Sequence, residues 1–280
     1  MKIKAIKMHC NGNDFVLLDI IDIQNFTFCW SDFARYITDR HFGIGGDGLV
    51  LIEPRMRIFN SDGSEAETCG SAILCTAFYL YEKYGDSEVI VDTIKRKIVC
   101  NIYETPPLPP LIEGGDSPPS LREGRGGVYE KSVVSANMGT VIHENDISLQ
   151  IKDTEINGHT LNIGNPHFAI FDNGIFDESV EYWELIENHP NFPNRINIEN
   201  IEIINQNEIK IKIWERGCGF TLSCGSGACV SAFIAHKLKK LDSKIKVHVP
   251  GGELIIEILN DNSCVLTGQV TTVFETEIDI

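Results

Sequence analysis

Two short motifs occur twice in the chain at nearly the same separation. Gly12-Asn13 is repeated as Gly164-Asn165, and Cys69-Gly70-Ser71 is repeated as Cys224-Gly225-Ser226. The two asparagines are 152 residues apart and the two cysteines are 155 residues apart. A shared offset of this kind indicates a distant internal duplication. We therefore predict two similar halves with a cleft between them, and each half contributes one asparagine-bearing loop and one cysteine-bearing helix start.

Short β-type runs outnumber helical patterns along the chain, which predicts an α+β fold. Residues 208–213 alternate strictly between polar and apolar, as a half-buried strand does. Helical spacing is found at Ser31–Thr38, after Cys69 and after Cys224. The clearest predicted strands are Phe15–Ile21, Gly48–Ile52, Arg57–Phe59, Glu88–Asp92, Lys97–Tyr103, Phe168–Phe171, Ile201–Glu215, Lys244–Val249 and Glu253–Leu259.

One stretch, residues 105–127, has no usable period and holds six of the eleven prolines. Such composition is typical of extended or disordered chain, and we interpret it as a loop insertion rather than a proline-rich docking segment. We expect an N-terminal half at residues 1–130, which includes this insertion, and a C-terminal half at 131–268. Residues 269–280 are expected to return to the N-terminal half.

The composition excludes several kinds of partner. With 24 Lys and Arg against 40 Asp and Glu, the net charge of −16 argues against nucleic acid and anionic membrane surfaces. No apolar run approaches the roughly 18–20 residues that span a bilayer. The first seven residues alternate charged with apolar side chains instead of forming a signal sequence, so we expect a cytoplasmic protein. Nine cysteines without a signal sequence indicate reduced thiols.

The two repeated cysteines carry the chemistry. At the first turn of a helix the backbone N–H groups are unpaired and the helix dipole is positive, so a thiolate is stabilised and the thiol pKa is expected to fall. Two such thiols facing one carbon from opposite sides suit inversion of a stereocentre, because one removes the α-proton and the other delivers a new one. The helix-start amides would hold the carboxylate of the carbanion-like intermediate. This scheme demands no cofactor.

Other uses of these cysteines were weighed. The spacings Cys69/Cys75 and Cys224/Cys229 do not match a zinc site, so no metal is expected. Two facing thiols could oxidise to a disulfide, but the Cys-x-x-Cys arrangement usual for thiol exchange is missing. Cys75 and Cys229 are predicted to be core residues.

Matched motifs in fixed order resemble the diaminopimelate epimerase family over nearly the whole chain outside residues 105–127. These motifs are Met8–Phe15, Arg40–Gly48, Arg57–Ser64, Cys69-Gly70, Gly164–His167, Phe192-Pro193, Asn197, Glu215–Gly217, Cys224–Ala228, Gly251–Leu254 and Thr267-Gly268.

The resemblance implies two pseudo-symmetric halves, each a mixed sheet wrapped around a central helix. It implies interconversion of LL- and meso-2,6-diaminoheptanedioate, a small amino-acid substrate of lysine and peptidoglycan precursor synthesis, and it makes a homodimer an expectation. Catalysis would rest on Cys69 as proton donor, Cys224 as acceptor, and His167 and Glu215 as the groups that tune them. The residues implied in substrate binding are Asn13, Asn60, Gly70, Ser71, Asn165, Asn197, Glu215, Arg216, Gly225 and Ser226.

The chain departs from the family pattern near both catalytic helices. Leu74 replaces an arginine, Phe220 replaces a glutamate, and Ser71 replaces an asparagine whose backbone amide matters most. The leading prediction is diaminopimelate epimerase. Two alternatives stay open: a related two-cysteine racemase of another amino acid, and an inactive homologue that acts as a binding protein. A phenazine-biosynthesis-like isomerase is disfavoured because that group lacks the cysteine pair.

Overall fold

The computed structural model describes residues 2–20, 29–52, 55–103, 131–172 and 179–279. Its helices within these ranges are α1 (Trp30–Ile37), α2 (Gly70–Tyr84), α3 (Val180–Glu187) and α4 (Gly225–Lys239). Its strands are β1 (Lys2–Cys10), β2 (Asn13–Asp19), β3 (Gly48–Ile52), β4 (Arg57–Asn60), β5 (Glu65–Ala66), β6 (Glu88–Asp92), β7 (Lys97–Tyr103), β8 (Lys131–Thr140), β9 (Ile142–Ile151), β10 (Thr154–Asn162), β11 (Pro166–Phe171), β12 (Asn197–Asn205), β13 (Glu208–Glu215), β14 (Gly219–Phe220), β15 (Lys244–Val249), β16 (Gly252–Ile258) and β17 (Ser263–Asp279). The proline-rich stretch 105–127 lies outside the described residues.

The same pairing order occurs in both halves of the chain. In the N-terminal half β1 pairs antiparallel with β2, β2 parallel with β3, and β3 antiparallel with β4. The C-terminal half repeats this order: β10 pairs antiparallel with β11, β11 parallel with β12, and β12 antiparallel with β13. The parallel pair needs a crossover, and α1 and α3 supply it at equivalent places. The internal duplication predicted from the repeated motifs is therefore a duplication of structure.

Each half closes into a barrel around a helix. In the N-terminal half, β1 pairs with β17, β17 with β8, β8 with β7 and β7 with β6, and a parallel bridge between Met56 and Thr93 completes the circuit. In the C-terminal half, β13 pairs parallel with β15, and β15, β16, β17 and β8 follow in order. The circuit is completed because β8 runs on into β9, which pairs with β10. Strands β8 and β17 belong to both barrels, so the halves are joined by main-chain hydrogen bonds and not by a linker alone.

Strand β17 changes its partner halfway along. Residues 264–267 pair with β16 of the C-terminal half, whereas residues 270–279 pair with β1 at the start of the chain. A single 17-residue strand therefore belongs to both sheets.

The central helices α2 and α4 are buried along most of their length, since each is enclosed by its own barrel. Residues 70–79 of α2 and 225–235 of α4 are buried, and the two helices share one continuous apolar core. A helix that is apolar on all sides belongs inside such a core. The outer helices α1 and α3 each cover a separate, smaller apolar cluster.

The prediction of an α+β fold with two pseudo-symmetric halves is confirmed. Helix α1 and the helices after Cys69 and Cys224 lie where they were predicted, but the run Ile201–Glu215 forms two strands, β12 and β13, with a turn between them. Strands β1, β8, β9, β10 and β17 and helix α3 were not among the clear predictions. Within the described part of the chain, no helix combines the length and apolarity needed to cross a membrane.

Candidate active site

The two repeated cysteines stand at the first turns of the two central helices. Cys69 precedes α2 and Cys224 precedes α4, and both have extended backbone, as helix N-cap residues do. The first residues of the two helices touch: a Cβ built on Gly70 would lie 3.2 Å from the Cα of Gly225. Only glycine permits this approach, which brings both cysteines to one place.

These helix starts open into a cavity of about 310 Å³, here called the inter-half cavity because residues of both halves line it. Eleven of the thirteen predicted site residues line it: Asn13, Asn60, Cys69, Gly70, Asn165, Asn197, Glu215, Arg216, Cys224, Gly225 and Ser226. Ser71 and His167 do not line the cavity, and both are buried. The two halves therefore contribute equivalent elements to one site.

The asparagine-bearing loops are held by equivalent turns. Gly12 and Gly164 precede Asn13 and Asn165 with φ of 82° and 114°, which glycine adopts at no steric cost. The Asn13 amide donates to the backbone oxygen of Ser223 at 2.8 Å, and the Asn165 amide reaches the Ser226 hydroxyl at 3.4 Å. Each loop is thus tied to the chain around Cys224.

Burial dominates the acidity of Cys69, although its sulfur is at a helix start. The backbone amides of Ser71 and Ala72 lower the thiol pKa, as predicted, although the Cys69 sulfur accepts no capping hydrogen bond. Loss of hydration in the closed barrel outweighs them, and together with the charge of Glu215 it raises the pKa to about 12. The prediction of a lowered thiol pKa is therefore wrong in sign, because the sequence shows the helix start but not the depth of burial.

Cys224 is more deeply buried, with 4% of its surface exposed. Burial raises the pKa of its thiol well above the usual value, and the nearby carboxylates of Glu215 and Glu199 raise it further. The Gly227 amide and the Ser226 hydroxyl, both 3.4 Å from the sulfur, oppose this shift.

Glu215 is a carboxylate whose charge raises the pKa of both thiols. Burial raises its pKa, while the Thr221 hydroxyl, which donates to it at 2.7 Å, and the nearby Cys224 thiol lower it. The Glu215 carboxylate and the Cys224 thiol therefore influence each other's pKa.

His167 lies behind the cavity in a fully buried pair with Glu199. Its Nδ1 is 2.7 Å from Oε1 of Glu199, and both side chains are 0% exposed. Glu199 also packs against the first turn of α4, where a Cβ built on Gly227 would lie 2.6 Å from its Oε1. Sequence reasoning missed Glu199, because a glutamate in a strand is usually on the solvent face.

Arg216 lies at the exposed rim of the inter-half cavity. Its backbone N–H donates to the Asn197 side-chain oxygen at 3.0 Å, and its guanidinium donates to the backbone oxygen of Asn194 at 3.1 Å. The Asn197 amide in turn donates to the backbone oxygen of Pro166 at 2.9 Å. This chain of contacts joins the ends of β11, β12 and β13.

Several lining residues were not predicted: Asp62, Ser64, Glu65, Ala66, Glu67, Thr68, Asn194, Arg195, Gly217 and Cys218. Arg195 adds a second guanidinium, and its Nη1 is 3.2 Å from the buried carboxylate of Glu187. Asp62, Glu65 and Glu67 add an acidic wall to the lining, in which Glu65 pairs with Arg57 and Glu67 pairs with Lys95. Their signal was present in the sequence, because they lie between two predicted site residues, Asn60 and Cys69.

Like Ser71, the departures from the family pattern at Leu74 and Phe220 lie outside the cavity lining. Leu74 is fully buried in the core of the N-terminal half, where it faces Gly268. Phe220 is 48% exposed and packs edge-on against Trp214 and Trp183, with ring centroids 5.0 and 5.1 Å away. Each side chain has an apolar partner in place of a charged one.

All nine cysteines are free. Cys75 and Cys229 are fully buried, which confirms their assignment to the core.

Three residues of types that bind metal ions, His143, Asp146 and His159, lie together away from the inter-half cavity.

Comparison with known proteins gives concordant results. The family model described as diaminopimelate epimerase matches residues 5–107 and 159–273. A diaminopimelate epimerase from Methanococcus maripaludis is 38% identical over 99% of this chain and 100% of its own length. Another from Agathobacter rectalis is 36% identical over 99% of each chain.

Solved structures share the fold at low sequence identity. A predicted epimerase from Pseudomonas aeruginosa has a TM-score of 0.70 at 11% identity, with 99% of each chain covered. A hydroxyproline epimerase from Agrobacterium vitis, with bound trans-4-hydroxy-L-proline, has a TM-score of 0.66 at 13% identity over 99% of this chain and 92% of its own. At these identities the likeness concerns the fold alone.

Proposed function

Because the chain belongs to the diaminopimelate epimerase family, we propose that its inter-half cavity interconverts LL- and meso-2,6-diaminoheptanedioate with Cys69 and Cys224 as the two acid/base thiols. The observation that carries this proposal is the meeting of two equivalent cysteine-bearing helix starts at one cavity. A base and an acid on opposite faces of one carbon are what inversion requires.

The surroundings of the two sulfurs indicate which group gives and which group accepts each proton. Cys224 gives its proton to Glu215, whose carboxylate lines the same cavity and acts on the pKa of this thiol, and the resulting thiolate removes the α-proton of the substrate. Cys69, whose raised pKa keeps it a thiol, delivers a proton to the other face. In the reverse direction the roles exchange. The α-ammonium of the substrate brings positive charge close to both sulfurs, which lowers the thiol pKa where burial had raised it.

The α-carboxylate is held by the first-turn amides that the sulfurs do not use. The Gly227 amide donates to the Cys224 sulfur and the amides of Ser71 and Ala72 act on the pKa of Cys69, which leaves the N–H groups of Gly70, Gly225 and Ser226 for the substrate. Two helix N-termini then face the charge that develops when the α-proton leaves.

The distal end of the substrate carries a second carboxylate and a second ammonium group. Arg216 at the rim offers a two-pronged donor for the carboxylate, assisted by the amides of Asn60, Asn165 and Asn197. The acidic wall that contains Asp62 suits the distal ammonium. A cavity with both a cationic and an acidic wall fits a diamino diacid better than a simple amino acid.

His167 and Glu199 are proposed to act through position and charge. Their buried pair fixes the back of the first turn of α4 and contributes to the electrostatics of Cys224 and Glu215. Neither residue lines the cavity, so we assign them no direct contact with the substrate.

The departures at Leu74 and Phe220 suggested the alternative function, a related racemase of another amino acid. Both side chains are satisfied by apolar neighbours outside the cavity lining, so they give no reason to change the substrate.

The test is α-proton exchange in deuterium oxide, followed by proton NMR, with LL- and meso-diaminoheptanedioate and a panel of common amino acids. We expect exchange of diaminoheptanedioate alone. Cys69→Ala and Cys224→Ala should each abolish epimerisation, whereas Cys218→Ala, which removes a third thiol from the same cavity wall, should retain it. Exchange of a different amino acid would indicate the related racemase, and absence of exchange in the wild type would indicate the inactive homologue.

A further inference from the structure

Two histidines and an aspartate converge on one face of the hairpin formed by β9 and β10. The Nε2 atom of His143 is 2.7 Å from Oδ1 of Asp146, and the Nδ1 atom of His159 is 2.6 Å from the same oxygen. The three possible ligand atoms lie within 4.8 Å of one another. None of the three residues lines the inter-half cavity.

An irregularity in the hairpin creates this convergence. His143 and Asp146 are three residues apart, so in a regular strand their side chains would point to opposite faces. The pairing shifts between Thr160 and Leu161, where Asn145 faces Thr160 but His143 faces Leu161. The extra residue in β9 turns His143 to the face that carries Asp146 and His159. Bulges commonly re-aim a side chain at a functional position.

The two imidazoles are held in place while the carboxylate stays open to solvent. The side chains of His143 and His159 are 12% and 19% exposed, against 68% for Asp146. The ring of His159 packs edge-on against both His143 and Phe171, with centroids 5.6 Å away in each case. Fixed imidazoles with an open side are a pre-organised ligand set, because little side-chain freedom remains to be lost on binding.

The distances between the three ligand atoms must adjust to accept an ion. Ligands 2.0–2.1 Å from a tetrahedral ion are roughly 3.3 Å from one another. The carboxylate oxygen would withdraw slightly from each nitrogen, and the exposed side chain of Asp146 has room to do so.

We propose that His143, Asp146 and His159 form a binding site for a divalent transition metal ion of the Zn²⁺, Co²⁺ or Ni²⁺ type. Two imidazoles and one carboxylate suit such ions, whereas Mg²⁺ and Ca²⁺ prefer oxygen ligands throughout. The three side chains leave at least one coordination position for water. The site is separate from the epimerase reaction.

Lys237 in the last turn of α4 competes with the ion. Its Nζ lies 3.3 Å from Nδ1 of His143, so this nitrogen accepts a hydrogen bond and Nε2 carries the ring proton. A metal on Nε2 requires the other tautomer, with Nδ1 protonated and the ammonium of Lys237 turned away. Removal of Lys237 should therefore strengthen metal binding.

The experiment titrates Co²⁺ into the full-length, tag-free chain after treatment with a chelator. Visible absorption reports the coordination, and calorimetry with Zn²⁺ gives the stoichiometry. The variants are the double variant His143→Ala/His159→Ala, Asp146→Asn and Lys237→Ala, with His189→Ala as the matched control because it removes an imidazole outside the cluster. Thermal melting checks that each variant is folded.

We expect one Co²⁺ equivalent in the wild type that the double variant lacks. Asp146→Asn should weaken binding at least about tenfold, as loss of a ligand does, Lys237→Ala should tighten it, and His189→Ala should leave it unchanged. Metal binding that persists in the double variant belongs to the free thiols and overturns the proposal. A Co²⁺ affinity that Asp146→Asn does not change overturns it as well, and this variant keeps the hairpin packing intact because Asp146 is on the surface.

Discussion

Cys69 and Cys224 occupy unequal surroundings although they hold equivalent places in the two halves. Cys69 is partly exposed and two backbone amides lower its pKa, whereas Cys224 is buried and the charges of two glutamates raise its pKa. Burial raises both thiol pKa values, so neither sulfur is a ready thiolate at neutral pH. Catalysis then depends on a proton acceptor close to Cys224 and on the positive charge that the substrate brings.

We propose Glu215 as that acceptor, and its charge also raises the pKa of both thiols. Glu215→Gln removes the negative charge, so the thiol pKa of Cys69 should fall and its alkylation by iodoacetamide should begin at lower pH than in the wild type. The same variant should lose about 10²- to 10⁴-fold in kcat, because the acceptor of the Cys224 proton is gone. Peptide mass spectrometry across a pH series follows Cys69 separately from the exposed thiols Cys29 and Cys218. A thiol pKa that rises or stays unchanged would contradict this role.

Glu199 is predicted to be a positioning residue. Glu199→Gln keeps the shape that packs against Gly227 but loses the charge that pairs with His167. We expect kcat to fall about 10²-fold and its pH profile to shift, with KM and the melting temperature little changed. If melting temperature and kcat fall together and the pH profile stays in place, the role of Glu199 is structural only.

At the scale of elements, the contact between the starts of α2 and α4 sets the distance between the two thiols. Gly225→Ala would place a Cβ 2.7 Å from Cδ2 of Leu266 and 3.2 Å from Cα of Gly70. Overpacking of this kind costs about 1–3 kcal/mol, and the displaced helix starts should also lower kcat.

Gly85→Ala is the matched control for Gly225→Ala, because it should lower the stability of the protein at a position that does not line the inter-half cavity. Gly85 has φ of 85° and nothing within 4 Å of its Cβ position, so alanine there costs about 1–2 kcal/mol from backbone strain alone. Urea unfolding and kcat of the two variants separate the effects. Equal kcat in both variants would show that the helix contact does not position the thiols.

The sequence was sufficient to predict the duplicated elements, because motifs at helix starts and glycine turns depend on local chemistry. Cys69, Cys224 and the two asparagine loops are found in this way. Burial is not local, so the sign of the thiol pKa shifts could not be predicted. Glu199 was missed for the same reason: β12 is covered on one face by α4 and on the other by α3, which no alternation pattern reveals.

At the scale of the whole molecule, the halves share two strands and one core. The core that surrounds α2 and α4 is continuous, and β8 and β17 pair in both barrels. We propose that the division of the chain at residues 130 and 268 reflects its internal symmetry and that the halves do not unfold independently.

Leu74→Ala tests this coupling from within the N-terminal half. Truncation of this fully buried side chain should cost about 2–5 kcal/mol. Trp183 and Trp214 report on the C-terminal half, and a Trp30→Phe background removes the tryptophan of α1. We expect their fluorescence midpoint in urea to shift by the full amount measured by circular dichroism. An unchanged tryptophan midpoint would mean that the halves are independent domains.

The central claim is that two thiols act on opposite faces of the α-carbon. The most direct measurement is the early distribution of deuterium when LL-diaminoheptanedioate is converted in deuterium oxide, followed by NMR and mass spectrometry. Two bases predict that the first meso product carries one α-deuterium while the recovered LL substrate carries none, because the acid that protonates the product holds a solvent deuteron. Equal deuterium in recovered substrate and product from the start would indicate one base serving both faces and would contradict the account.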